Sequence, residues 1–179
     1  VKILGVVLAG GRSSRFGSDK AEASWHGGSL LDNAVTFLAP QVDEVRVAGR
    51  EDAPVASLAD WPAPGFGPLG GIAAALREAC SRRFDAVLSI PVDAPMLPDD
   101  LSSTLQPGPS FLSELPVAGC WPVETLAPLE ELMLSDRSKS VRAFAEACGA
   151  RTVSLDRPIF NINTVDDLQR AHAFERETH

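Results

Sequence analysis

The sequence predicts an α/β fold in three layers, with a mostly parallel central sheet and helices on both faces. Apolar, β-branched runs at 3–8, 42–48, 84–90 and 151–155 have the length and composition of strands. Segments with apolar residues three and four apart lie between them, so strands and helices alternate. The chain has 179 residues, 45% hydrophobic and 22% charged, which suits one sizeable core and a single domain over 1–179.

The first strand, 3–8, stops at Gly10-Gly11 and a polar, cationic loop. Residues 21–25 read as short and extended or irregular, and Gly27-Gly28 marks a turn. Leu30, Leu31, Ala34, Val35 and Leu38 then repeat at helical spacing behind a cap at Ser29, and Pro40 ends that helix. The second strand, 42–48, is followed by an aperiodic stretch, 49–68, in which a short strand end is expected near 58–61. Pro62, Pro64, Gly65, Gly67 and Pro68 make a turning loop into a helix over 69–79. Gly70 and Gly71 are costly so near a helix start unless something approaches closely, either the sheet or a ligand.

The third strand, 84–90, runs into Pro91-Val92-Asp93-Ala94-Pro95, and a short helix is expected to begin near Pro98. Residues 106–119 are the least patterned. A strand over 116–121, helices around Leu126–Met133 and 141–148, and the late strand 151–155 follow. Thr164 caps a terminal helix running through Phe174, with Asp166 and Asp167 in its first turn. No repeat or interdomain linker is visible.

The net charge of −8 argues against a nucleic-acid binder and against attraction to an anionic membrane. No apolar run reaches the length of a membrane span and no secretory leader is recognisable, so the cytoplasm is the expected compartment. Cys80, Cys120 and Cys148 are widely spaced and suggest neither a disulfide framework nor a zinc site. His26, His172 and His179 form no ligand cluster.

Cations clustered in an acidic chain are informative. In parallel sheets ligands sit beyond the carboxyl ends of the strands, the edge where Gly10, Gly11 and Asp93 fall. Paired glycines let main-chain N–H groups point at phosphate oxygens, and Arg12, Arg15 and Lys20 add forked and mobile positive charge. Neither the Walker A pattern nor Gly-x-Gly-x-x-Gly is present. Asp93, set between two prolines, suits either a metal-bearing ligand or a plain turn. Asn161 and Asn163, two apart, either face a ligand together or serve as turn residues before Thr164. Arg137, Lys139 and Arg142 make a second cationic cluster, at an acceptor phosphate or at a solvated helix end.

Leu8-Ala9-Gly10-Gly11, with Ser13, Arg15, Gly17, Asp19 and Lys20, resembles the signature of the molybdenum cofactor guanylyltransferases, which attach GMP to molybdopterin. The resemblance extends in order to Gly67–Ile72, Pro91–Pro95 and Asn161–Thr164, and so covers most of the chain. It implies a single Rossmann-like nucleotidyltransferase domain, GTP and molybdopterin or Mo-molybdopterin as substrates, and Mg²⁺ as cofactor. It further implies other molybdenum cofactor biosynthesis proteins and acceptor molybdoenzymes as partners. Carried over, Arg15, Lys20 and Asp93 are catalytic, and Leu8, Ala9, Gly10, Gly11, Lys20, Asp60 and Asp93 bind nucleotide. Asp93 holds the metal, and Asn161 and Asn163 lie on the substrate side.

The family has an aspartate at the spacing of Asp60, eight residues before Pro68, attributed to GTP. A carboxylate can accept from both N1–H and the 2-amino group of guanine, a donor pair that adenine and cytosine lack. The Leu-Ala-Gly-Gly form also favours guanine, since cytidylyltransferase relatives typically read Leu-Ala-Ala-Gly. Val47 departs from the pattern, standing where an asparagine is frequent; Gly28-Ser29 replaces a basic residue and proline, and 106–116 matches poorly. Rival readings are a cytidylyl- or sugar-1-phosphate nucleotidyltransferase, or a non-catalytic nucleotide-binding paralogue.

Overall fold

The computed structural model describes residues 1–11, 17 and 19–178. In chain order the strands and helices are β1 (Ile3–Leu8), β2 (Ser24–Trp25), β3 (Gly28–Ser29), α1 (Leu30–Leu38), β4 (Glu44–Ala48), β5 (Ser57–Leu58), α2 (Pro68–Ser81) and β6 (Ala86–Pro91). There follow α3 (Leu101–Leu105), β7 (Ser110–Leu112), β8 (Gly119–Pro122), α4 (Leu126–Leu134), α5 (Val141–Ala147), β9 (Arg151–Val153) and α6 (Val165–Thr178). Seven strands form one sheet in the order β5-β4-β1-β6-β8-β7-β9. Only β8 opposes the common direction, so the sheet is mostly parallel, as the alternating pattern predicts.

Every residue of β1 and β6 is buried, and that is why both read as continuous apolar runs. Their side chains alternate between faces. Leu4, Val6 and Leu8 pack with α2, α4 and α5; Ile3 and Val7 pack with α1, α3 and α6. Each large, fully buried apolar side chain, such as Leu4 or Phe144, contributes about 1.5–3 kcal/mol.

Local chemistry sets the helix ends. Ser29 and Asp32 form a reciprocal capping box at α1. At α6, Asp167 N donates to Thr164 Oγ1 at 3.1 Å, and Asp167 Oδ2 accepts from Thr164 N at 2.9 Å. That helix runs to Thr178, past the expected Phe174. Trp25 stacks with the rings of both His26 and His172, tying the β2–β3 hairpin to α6. Both described histidines thus pack against an indole.

The unpatterned segment 106–119 hides β7, a three-residue strand that pairs with β8 and β9. Trp121 fastens this half to β6: its Nε1–H donates to Ser89 Oγ at 2.9 Å, and that hydroxyl donates to Val117 O at 2.7 Å. Among the described residues no helix is long and apolar enough to cross a membrane. Cys80, Cys120 and Cys148 are unpaired, and burial pushes the Cys120 thiol up to about 11.

Candidate active site

The register sets Leu8, Ala48 and Pro91 side by side, so the loops after β1, β4 and β6 leave the sheet together. Ala9 N donates to Ala48 O at 2.9 Å and Val92 N to Leu8 O at 3.1 Å, prolonging the ladder into the loops. Gly10 then lies against Gly49. A Cβ on Gly49 would come 2.5 Å from both Cα and N of Gly10, and Gly49 has φ of +88°. Two loops of the backbone meet here with no room for side chains. Gly11 differs: it has open space around it, but its φ of +115° disfavours an L side chain.

Residues 12–16 and 18 lie outside the described residues, and with them Arg12 and Arg15. Asp19 Oδ1 accepts from Ala21 N at 3.1 Å and caps a short turn over 20–22. From that turn Lys20 Nζ donates to Asp93 Oδ2 at 2.5 Å, with side-chain exposures of 21% and 14%. The main chain of Asp93 is held by Ile162, whose N–H donates to Asp93 O at 2.8 Å. With its amide nitrogen facing the carboxylate, Asn161 donates to Asp93 Oδ1 and Oδ2 at 3.0 and 3.2 Å.

Asp60 follows β5, and the adjoining Trp61 N donates to Gly70 O at 3.1 Å. A Cβ on Gly70 would lie 3.0–3.2 Å from the Asp60 side chain, while one on Gly71 would lie 2.5 Å from Leu8 Cδ2 and 2.9 Å from Ala48 Cβ. The expected close approach of the sheet is met at Gly71, and at Gly70 the close neighbour is the Asp60 side chain. Gly71 lets α2 sit down on the sheet, and Gly70 leaves room for Asp60. Asp60 makes no hydrogen bond or ion pair among the described residues, and burial raises its pKa above the ordinary carboxylate value.

These residues share a cleft of about 430 Å³. One end holds Asp60 and the start of α2, the floor is Gly49, Gly10 and Gly11, and the other end holds Lys20, Asp93 and Asn161. A recess of about 60 Å³ opens between Ala9, Gly10, Gly11, Asp19 and Lys20. Asp60 and Asp93 follow strands three positions apart, a separation of about 14 Å at ordinary strand spacing. A cleft of that reach can take a nucleobase at one end and a polyphosphate at the other.

Leu8, Gly10, Gly11, Lys20, Asp60, Asp93 and Asn161 are brought together in this cleft, and Ala9 stands in the adjoining recess. Asn163 is not in the lining. Its main-chain N–H donates to Asp167 Oδ2 at 3.0 Å, in the cap of α6. Two side chains of the second cationic cluster serve the main chain: Lys139 Nζ donates to Ser135 O and, at 2.8 Å, to Arg137 O, and Arg142 donates to Ser113 O at 2.8 Å. Gly49, Leu115 and Val117 join the lining although the sequence reading did not single them out. For Gly49 the signal existed, as a glycine directly after a parallel strand.

Residues 5–153 match the MobA-like NTP transferase domain. A molybdenum cofactor guanylyltransferase from Rhizobium leguminosarum bv. trifolii (strain WSM2304) is 39% identical over 193 residues, spanning 95% of this chain and 91% of that protein. The chain belongs to this family. A second member, the molybdenum cofactor guanylyltransferase of Acidiphilium cryptum (strain JF-5), is 34% identical over 94% of this chain and 93% of its own length. Among solved structures, molybdopterin-guanine dinucleotide biosynthesis protein A from Archaeoglobus fulgidus superposes with a TM-score of 0.74 at 22% identity, covering 97% of this chain and 99% of that one. CMP:2-keto-3-deoxy-manno-octonic acid synthetase, solved with CTP, reaches 0.70 at 14% identity over 100% of both chains. The two structures establish a shared fold, and the sequence relatives separate this family within it.

Proposed function

We propose that this chain transfers GMP from GTP to molybdopterin, or to Mo-molybdopterin, to form the guanine dinucleotide form of the molybdenum cofactor, with pyrophosphate released. Residues 1–179 act as one catalytic domain in the cytoplasm, a reducing compartment that suits three unpaired cysteines. Product passes on to acceptor molybdoenzymes with the help of other proteins of cofactor biosynthesis. The observation that carries this reading is the division of one cleft between a carboxylate with no partner among the described residues, Asp60, and a lysine–carboxylate pair, Lys20–Asp93.

The reaction asks the protein for position and charge. A terminal phosphate oxygen of the acceptor bonds to the α-phosphorus of GTP as the bond to the β-phosphate oxygen breaks, and the electron pair leaves with pyrophosphate. Asp60 accepts from guanine N1–H and the 2-amino group. The main chain at Leu8–Gly11 lies along the nucleotide, with N–H groups of Gly10 and Gly11 turned to phosphate oxygens. Lys20, with Arg15 from the same loop, neutralises the triphosphate as charge moves to the leaving group. Asn161 holds the Asp93 carboxylate in orientation, and Asn163 belongs to the acceptor side. No protein nucleophile is needed.

Nucleotidyltransferases generally work with a divalent metal. Among the described residues no group of three or more His, Cys, Asp or Glu can hold a metal ion. One carboxylate beside a phosphate site fits Mg²⁺, a hard cation that takes one or two protein oxygens and completes its shell with phosphate and water. Asp93 would hold it, and bound Mg²⁺ would supply charge to the transferring phosphoryl group.

Incubating the protein with GTP, Mg²⁺ and molybdopterin is expected to release pyrophosphate, with much less release from CTP or UTP. No release beside an active relative run in parallel would remove the proposal.

A further inference from the structure

The loop after β4 carries Arg50, which takes no part in the mechanism above. Its side chain is 16% exposed and is engaged on three sides. Nε donates to Asp52 O at 2.7 Å, Nη1 to Asp19 Oδ2 at 3.1 Å and Nη2 to Glu22 Oε1 at 3.0 Å. Those two carboxylates bracket Lys20. Asp19 also caps the turn with its other oxygen, and Glu22 N donates to Asp19 O at 3.1 Å. Arg50 follows Gly49, whose contact with Gly10 sets the loops after β1 and β4 against each other.

A lysine flanked by two acidic residues has competing partners close at hand. Arg50 occupies both of them while Lys20 reaches across to Asp93. The planar fork of Arg holds two carboxylates in a fixed geometry, which the flexible point charge of a lysine in its place does not impose. Asp19 and Glu22 are 54% and 58% exposed, and ion pairs this exposed add little to global stability. The effect of the fork therefore falls on the geometry of the turn.

We infer that Arg50 is a positioning residue, which clamps Asp19 and Glu22 so that Lys20 is presented to Asp93 and to a bound triphosphate. The inference rests on the reading that Lys20 grips the triphosphate.

Affinities for GTP and for guanosine, measured by calorimetry on the full chain, test it in Arg50→Gln, Arg50→Lys, Lys20→Ala and the Arg50→Gln/Lys20→Ala double variant. Arg50→Gln is expected to weaken GTP about 10-fold, the scale of a lost charged hydrogen bond, and guanosine less than about 2-fold. Arg50→Lys keeps the charge and the fold, and is expected to recover less than about half of that loss. In the Lys20→Ala background the Arg50→Gln change should cost less than about 2-fold further, because the two residues act as one unit. Additive losses, full recovery in Arg50→Lys, or equal weakening of guanosine and GTP would each overturn the positioning role. If Lys20→Ala weakens GTP and the Arg50 variants do not, the clamp alone is wrong. If Lys20→Ala leaves GTP affinity intact, the triphosphate reading falls and the clamp falls with it.

Discussion

Asp60 and Asp93 stand at opposite ends of one cleft in opposite surroundings. Asp93 is met by a lysine ammonium at 2.5 Å and by the Asn161 amide, so its charge is compensated before any ligand arrives. Asp60 is half-buried among small residues with no partner among the described residues, and burial raises its pKa. A carboxylate supplied with partners suits a place where charge must be held steady. One left without them suits recognition, because a ligand with two donors gains more there than in water. In the proposed function the same residue type is thus given two jobs, according to whether the protein supplies the counter-charge.

Removing Asp93 should give the largest effect. Asp93→Ala is expected to lower turnover by about 10³-fold, the scale set by loss of a fixed electrostatic group, with GTP affinity measured without metal largely kept. Unchanged turnover in initial-rate assays would end the proposed metal role. Lys20→Ala should weaken GTP by roughly 10- to 100-fold and guanosine hardly at all, as calorimetry would show. A uniform loss would instead mean a damaged fold.

Asp60→Asn should lower the preference for guanine about 10-fold, as judged by competition between GTP and CTP. It should not lower the melting temperature. The reason lies in the sign of the pKa shift: a carboxylate raised in the folded state opposes folding as pH climbs from its unfolded value, about 3.9, through its folded one. The neutral amide removes that penalty. By the same shift, GTP affinity in the parent protein should rise with pH through the raised Asp60 value, and Asp60→Asn should flatten that limb.

Asp167 sharpens the contrast at the smallest scale. It is partly exposed, and donors from Asn163 first, then Thr164 and Arg170, hold its carboxyl below the usual range. Its contribution to stability is present above about pH 3.9 and is lost as pH falls through its folded value. Asp167→Asn is expected to flatten the acid limb of a melting-temperature profile, opposite in sign to Asp60→Asn. An unchanged limb would show that the α6 cap contributes nothing.

What the sequence disclosed and what it withheld follow from distance along the chain. β1, Gly10-Gly11 and Lys20 are contiguous, and Pro91–Pro95 closes on a strand that is apolar throughout, so both halves of the Lys20–Asp93 pair were legible one at a time. Their meeting was not, because it depends on β1 and β6 being neighbours with Leu8 opposite Pro91. Gly49 and Arg50 owe their places to the register of Leu8 with Ala48 and, for Arg50, to two carboxylates, Asp19 and Glu22, from another segment. β7 is three residues long and is held by pairing with β8 and β9 rather than by its own propensity. For Asn161 and Asn163 the period-two expectation was sound for an extended chain, yet the cap of α6 takes the Asn163 N–H and only Asn161 enters the cleft lining. Lys139 shows the same limit, since nothing local says that a lysine will turn back onto the carbonyls of its own turn.

The central claim, that Asp60 reads guanine, is tested most directly by kcat/KM for GTP against ITP, which differs only in lacking the 2-amino donor. The parent protein is expected to prefer GTP by about 10-fold, and Asp60→Asn to treat the two almost equally. Equal use of both by the parent protein, or a preference that survives in Asp60→Asn, would contradict the account.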